Sequence, residues 1–158
     1  MPRITSQLAA IQEAVVACRR CPRLVDYIGG LRKEQPEWWC RPVPGFGDPR
    51  ARVVVVGLAP GRAGSNRTGR MFTGDGSGAF MYPVLHAIGL ASQPVATAVD
   101  DGLELRDCYI TAAGRCAPPL SLLASYHPSR QNTQTGVLTA PMFRRIFERA
   151  KELAGDRS

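Results

Sequence analysis

The densest apolar run in the chain is four consecutive valines at 53–56, closed by Gly57. β-Branched side chains on both faces predict a strand buried on both sides, as in a parallel sheet. Pro60-Gly61 then forces a turn into GLAPGRAGSNRTGRMFTGDGSG over 57–78, a glycine- and arginine-rich stretch with almost no apolar content until Met71 and Phe72. A second strand is predicted at 108–112, CYITA, and a third short apolar run at 120–124. Helical spacing recurs three times. Ile4, Leu8, Ile11 and Val15 mark a helix over 4–17 with Ser6 as its candidate cap. Phe80, Val84, Leu85 and Ile88 mark another that ends at Gly89, with Pro83 tolerable only in its first turns. Leu138, Met142, Phe143, Ile146, Phe147 and Leu153 mark a closing amphipathic helix, with Thr139 as cap and Pro141 in the first turn. Between these, 35–52 is non-repetitive, its aromatics covering an edge of the core, and 91–107 reads as a polar loop.

The valine strand and its loop ask for a function. In an open α/β sheet, ligands bind where the chain leaves the carboxyl end of a strand. A Walker-type phosphate loop needs Gly-Lys-Ser/Thr, yet the two lysines, Lys33 and Lys151, lie elsewhere. Gly57, Gly61 and Gly64 do not have the dinucleotide-fingerprint spacing. The bland alternative is a solvated surface loop. Its length favours function, because long structureless connections in compact domains are usually functional or disordered.

Composition narrows the partners. With 158 residues the chain is most simply one domain, 1–158, large enough to bury a core. No apolar run reaches membrane-span length and no signal-peptide core opens the chain, so a soluble, cytoplasmic protein is expected. The formal charge of +7 comes almost entirely from arginine, whose fork pairs bidentately with phosphates. This is the composition of a protein with a nucleic-acid partner, and equally that of a genome with a general bias toward arginine over lysine. Five cysteines without an export signal argue against disulfides and for metal binding or packing. Cys18-Arg19-Arg20-Cys21 closes the first helix rather than following a strand, which favours metal over thioredoxin-type redox chemistry. Cys40 and Cys108 read as buried thiols, and His86 as a packing or surface histidine.

Three segments, GLAPGRAGSNRTGRMFTGD, ITAAGRCAPP and LLASYHPSRQNTQTG, together resemble the uracil-DNA glycosylases, most closely the type B branch (family 5), whose members carry an iron–sulfur cluster. The resemblance covers nearly the whole chain. It implies an α/β fold, a three-layer α/β/α sandwich around a short, mostly parallel sheet. It implies excision of a flipped-out uracil, leaving an abasic site in DNA. Asp75 would stabilise the oxocarbenium-like sugar and orient water, and His127 would donate to the oxyanion that develops on the base. Gly57, Leu58, Ala59, Pro60 and Gly61 would line the base pocket and Phe72 would stack on the base. Asn66, Arg67, Arg70, Ser129, Arg130 and Gln131 would meet DNA, double- or single-stranded. Cys18, Cys21 and Cys116 match three of the four ligands of a [4Fe–4S] cluster, with zinc as the alternative occupant. A monomer is expected.

The chain departs from this pattern after RCAPP, where Pro119 joins Leu120 directly. Relatives carry there a loop, a helix bearing the fourth cysteine, and a further strand and helix. A strand–helix crossover takes roughly thirty residues or more, so the loss is substantial. It should leave a gap beside the 53–56 strand or force the strands to re-pair. Two other readings therefore stand beside the glycosylase: a catalytically impaired DNA-binding remnant, and a small metal-binding protein using the CxxC, Cys116 and Cys40.

Overall fold

The structure is a computed structural model that describes residues 2–119 together with 139, 141, 142, 144 and 145. The chain divides into two compact units, Met1–Pro119 and Leu120–Ser158. The boundary falls between Pro119 and Leu120, the junction at which the sequence resemblance predicts a missing unit. In the second unit Pro141, Met142, Arg144 and Arg145 are helical, and Met142 N donates to Thr139 Oγ1 at 3.4 Å, the cap expected there. The rest of that unit, including the 120–124 run, His127, Ser129, Arg130 and Gln131, lies outside the described residues.

The first unit opens with α1 (Pro2–Val16) and α2 (Pro22–Glu34). α1 begins four residues ahead of Ser6, so Ser6 is helical rather than a cap. The face that carries Ile11 is not buried: Ile11 is 56% exposed, and Leu8 and Val15 are half-buried. α2 has no counterpart in the periodicity analysis, because Gly29 and Gly30 interrupt its apolar pattern; Ile28 and Leu31 are its buried residues. Pro22 at the start, with its missing N–H, fits a first turn.

Residues 46–112 hold an α/β arrangement around a three-stranded mixed sheet of order β1-β3-β2. β1 (Phe46–Gly47) pairs antiparallel with β3 (Cys108–Ala112), and β2 (Val53–Gly57) pairs parallel with β3 over five residues, Val53 opposite Cys108 through Gly57 opposite Ala112. Both long strands fall where the sequence places them. β3 is central and buries Cys108, Ile110 and Ala112 against Val43, Met71, Tyr82 and Leu85. β2 corrects the expectation of burial on both sides. Val53, Val54 and Val56 are 41%, 56% and 61% exposed, and β2 ends the sheet among the described residues. β-branched content signals strand; it does not say what covers it.

The short helix α3 (Ser65–Thr68) and the longer α4 (Gly76–Ala87) follow β2. Pro83 lies in the middle of α4 rather than in its first turns, and the face turned to the core carries Tyr82 and Leu85. Phe80, Val84 and Ile88 face away, at 80%, 53% and 63% exposure. The 91–107 stretch is less polar than it reads. Ala91, Leu103 and Leu105 are in the core, and Ala91 bridges Leu105.

One ion pair ties the glycine-rich loop to that stretch. Arg70 Nη2 meets Asp101 Oδ2 at 2.7 Å, with side chains only 5% and 10% exposed. Arg70 Nε donates to Thr73 Oγ1 (2.9 Å) and Nη1 to the Val99 carbonyl (3.3 Å), while the guanidinium lies 5.4 Å from the Phe46 ring centroid. Burial pushes the Asp101 carboxyl up. The Arg70 hydrogen bond and backbone N–H groups of Thr97, Leu103 and Ala98 outweigh it and hold the carboxyl well below the usual carboxylate range.

Two stability predictions come from this packing. Ile110→Ala should cost about 2–5 kcal/mol, the usual range for emptying a well-packed core site, whereas Val54→Thr should stay within about 0.5 kcal/mol, as exposed substitutions do. Urea titrations of the two variants check this, and equal losses would contradict the exposed placement of β2. For the ion pair, Asp101→Asn leaves a buried guanidinium unpaired and should cost about 3–5 kcal/mol near neutral pH. Because the folded carboxyl is depressed, its contribution is complete above the unfolded value of about 4 and disappears as pH falls through the folded one. The gap between parent and variant should therefore hold from pH 7 to 5 and shrink below pH 4 in denaturation series; a gap independent of acid would contradict the pair.

Candidate functional site

The site is built where β2 ends. Ala113 N donates to the Gly57 carbonyl (2.9 Å) and Gly114 N to that of Leu58 (2.8 Å), so the parallel pairing with β3 fixes the first residues of the loop. Leu58 stands 65% exposed, Ala59 is half-buried and Pro60 is buried. Asn66 N then returns to the Gly61 carbonyl (2.9 Å), closing the turn into α3.

Asp75 caps α4: its Oδ1 accepts from Gly78 N at 2.9 Å. The other oxygen is turned toward the loop. A Cβ placed on Gly61 would lie 3.7 Å from Asp75 Oδ2, and one on Gly64 would collide with the carboxylate, 2.7 Å from its Cγ. Glycine at 64 is therefore a matter of space. The chain folds a carboxylate against the backbone of the loop predicted to line a pocket, with one oxygen spent on the helix cap and the other free of it.

Phe72 lies beside the same loop. A Cβ on Gly57 would come within 3.0 Å of Phe72 Cζ, so the ring rests against the end of β2. Its backbone has φ +53°, the left-handed region, which costs a non-glycine residue on the order of 1–3 kcal/mol. Two contacts hold it there. Phe72 N donates to Ser65 Oγ at 2.9 Å, and the Phe72 carbonyl sits where any side chain at 78 would be, so Gly78 is required. Neither Ser65 nor Gly78 carries a sequence signal for this role. A cleft of about 390 Å³ also borders Asp75, walled by Gly74, Pro83, Val95 and Thr97; neither Phe72 nor 57–61 lines it.

The loop arginines are placed differently from one another. Arg70 is buried in the Asp101 pair, and its guanidinium is not offered to a phosphate. Asn66 is fully buried, its Nδ2 directed at Cys40 Sγ (3.6 Å) and the Arg62 carbonyl (3.5 Å). For these two the expectation of a DNA contact gives way to internal stitching. A cationic or amide side chain in a glycine-rich loop serves the loop's own carbonyls as readily as a ligand's phosphates. Arg67 is half-buried and donates to the Ala63 (2.7 Å) and Gly74 (3.3 Å) carbonyls, with no carboxylate partner among the described residues.

The cysteines expected to hold a metal lie apart from this loop. Cys18 lies just past α1, and Cys21 is the N-cap residue of α2, so the CxxC closes one helix and opens the next. The motif therefore does open a helix, as a thioredoxin-type CxxC does, and what still sets it apart is that a helix rather than a strand precedes it. Cys116 lies beyond β3, where burial pushes its thiol up and the charges of Cys18 and Cys21 add to that. Arg115 fixes the segment, its Nη1 donating to the Val43 carbonyl (3.1 Å) while Val43 N donates to the Arg115 carbonyl (2.7 Å). No group of three or more metal-ligating side chains closes up among the described residues. Cys40 and Cys108 are 3% and 0% exposed in other places, Cys40 beside Asn66 and Cys108 in β3. A four-thiolate cluster does not fit these residues, which supply three thiols.

A family model described as the uracil DNA glycosylase superfamily matches residues 44–122, the span that contains the sheet, the loop and Asp75. A type-5 uracil-DNA glycosylase of Thermus thermophilus is 41% identical over 215 residues, which take in 92% of this chain and 98% of the relative. One from Pyrobaculum aerophilum is 52% identical over 109 residues, 66% of this chain but 48% of the relative. One from Mycobacterium leprae is 33% identical over 228 residues, covering 98% and 96%. As 92% of 158 residues is about 145, roughly 70 of the 215 positions aligned with the Thermus protein have no counterpart here. On the matched span and on these identities, the chain belongs to the uracil-DNA glycosylase superfamily.

Proposed function

We propose that this chain is a DNA repair glycosylase that takes a uracil turned out of DNA and hydrolyses its bond to deoxyribose. The observation that carries the reading is the Asp75 carboxylate held against Gly61 and Gly64, with Phe72 at the end of the same strand, in a chain of this superfamily. When the bond between C1′ and N1 breaks, its electron pair leaves with the base and the sugar becomes cationic. Asp75 Oδ2, free of the helix cap, is the group to face that cation and align a water whose oxygen adds to C1′. The proton lost from the water ends on the released base. His127 would donate to the uracil oxygen on which negative charge grows, an interaction stronger in the transition state than in the ground state. The base would stack on Phe72, whose strained backbone is the kind of cost that persists at sites of function. Arg67, with Ser129, Arg130 and Gln131, would meet the phosphates or the minor groove. Other deaminated bases, hypoxanthine and xanthine among them, would present the same leaving-group problem. The thiols of Cys18, Cys21 and Cys116 are proposed to hold a metal, incompletely for want of a fourth ligand.

The test is single-turnover release of uracil from a duplex carrying one uracil. Asp75→Asn and His127→Ala should each slow the chemical step about a hundredfold to ten-thousandfold, with little change in DNA affinity. Gly64→Ala should slow it too, since its methyl occupies the carboxylate's place. Variants that cleave at the parent's rate would overturn the assignment. An inactive parent that regains activity when the roughly 70 missing positions are restored from the Thermus relative would identify the chain as an impaired member of the family. Iron and zinc analysis of anaerobically purified protein tests the thiols. Less than one full site per chain, stripped by a chelator and reduced further in Cys116→Ser, is expected; four irons per chain surviving chelation would contradict the three-thiol set.

A further inference from the structure

Away from the loop that follows β2, three arginines from three separate segments line one groove. Arg19 follows α1, Arg32 lies in the last turn of α2, and Arg41 lies in the loop leading to β1. With Gln12, Glu13 and an apolar floor that includes Val16, they line a groove of about 580 Å³. No residue of 57–75 belongs to it. The ion pairs among the described residues use Arg52, Arg62 and Arg70, so none of the three groove arginines is in one. Glu13 is the single carboxylate on the lining. Charges of one sign held together without counter-ions repel each other, and a polyanion laid along them removes that repulsion.

The groove is also held in shape. Gln12 Nε2 donates to the Tyr109 hydroxyl of β3 at 2.5 Å, and Gln12 Oε1 accepts from Gly45 N at 2.7 Å. This fixes α1 to the central strand and to the loop before β1. The Arg41 guanidinium stands 5.6 Å from the Trp39 ring centroid. The one side-chain amide on the lining is thereby spent, and what remains to meet a ligand is three arginines against one carboxylate, Glu13. Such a lining contacts phosphates without reading bases.

We propose that this groove binds the phosphate backbone of nucleic acid, as a second contact area that anchors DNA independently of the base being excised. The inference rests on the DNA reading above but not on catalysis. It is tested by measuring affinity for a short duplex, with and without uracil, across a series of salt concentrations. The parent is compared with Arg19→Gln/Arg32→Gln/Arg41→Gln and with Arg50→Gln/Arg106→Gln, a control that removes exposed charge elsewhere. Unchanged circular dichroism establishes that the variants are folded. Each lost phosphate contact lowers the log–log salt slope by about 0.9, so the triple variant should lose about 2 to 3 from the slope. The loss should be the same on both duplexes, and the control should match the parent. A triple variant with the parent's slope, or a control that loses as much, overturns the groove, as does a parent that binds no duplex. Single-turnover release at saturating protein separates the two readings. A parent that binds through the groove but releases no uracil leaves the groove standing and removes the glycosylase reading. A parent that releases uracil while the triple variant keeps its slope does the reverse.

Discussion

The Arg70–Asp101 pair is the constraint on which the first unit depends. A loop as rich in glycine as 57–75 has little apolar surface of its own to bury, and each ordered residue costs backbone entropy. Burying one guanidinium replaces the missing core. Arg70 reaches Thr73 inside the loop, Val99 and Asp101 outside it, and the face of Phe46 beside the sheet. Asp101 in turn accepts from Thr97, Ala98 and Leu103, so a single carboxylate organises the stretch between Ala91 and Leu105. Since buried charges are tolerated only when paired and hydrogen-bonded, both segments must be in place together. Asp75 follows five residues after Arg70, and its position against Gly64 is inherited from that clamp.

The sequence spoke clearly where local chemistry decides the outcome. Both five-residue strands, the glycine turn after β2, the buried Cys108 and the cap at Thr139 are visible because β-branching, turn residues and capping side chains act within a few positions. It spoke poorly where tertiary contacts decide. The valines of β2 carry the pattern of a doubly covered strand, yet three of them are exposed, as are Phe80, Val84 and Ile88 on α4. Among the described residues β2 is the last strand of the sheet, so what covers its exposed valines cannot be read from the strand's own composition. Arg70 and Asn66 were legible as loop polar residues but not as internal ones, because a donor's partner is set by three-dimensional closure. α2 was invisible because paired glycines at 29 and 30 dilute its period.

The three thiols show the same division between local and distant information. Cys18 and Cys21 are neighbours by spacing, whereas Cys116 lies far along the chain, in a segment beyond β3 that the Val43–Arg115 hydrogen bonds hold. A thiolate at Cys116 is disfavoured by burial first and by the charges of Cys18 and Cys21 second. The remaining cysteines cannot complete the set without breaking something else. Cys108 would have to leave the central strand, and Cys40 would have to leave Asn66, whose burial it shares.

Phe72 closes the argument about the loop. An aromatic in the left-handed region is an outlier that nothing in local preference explains, and the fold enforces it with Ser65 on one side and Gly78 on the other. A loop whose only purpose was connection would relax it, since Gly74 sits two residues away to absorb the turn at no steric cost. What the strained conformation achieves is placement. It lays a flat ring against Gly57 while the chain arrives, three residues later, with a carboxylate against Gly61 and Gly64. An aromatic ring and a carboxylate are thus fixed to the same strand end by backbone geometry rather than by flexible side chains.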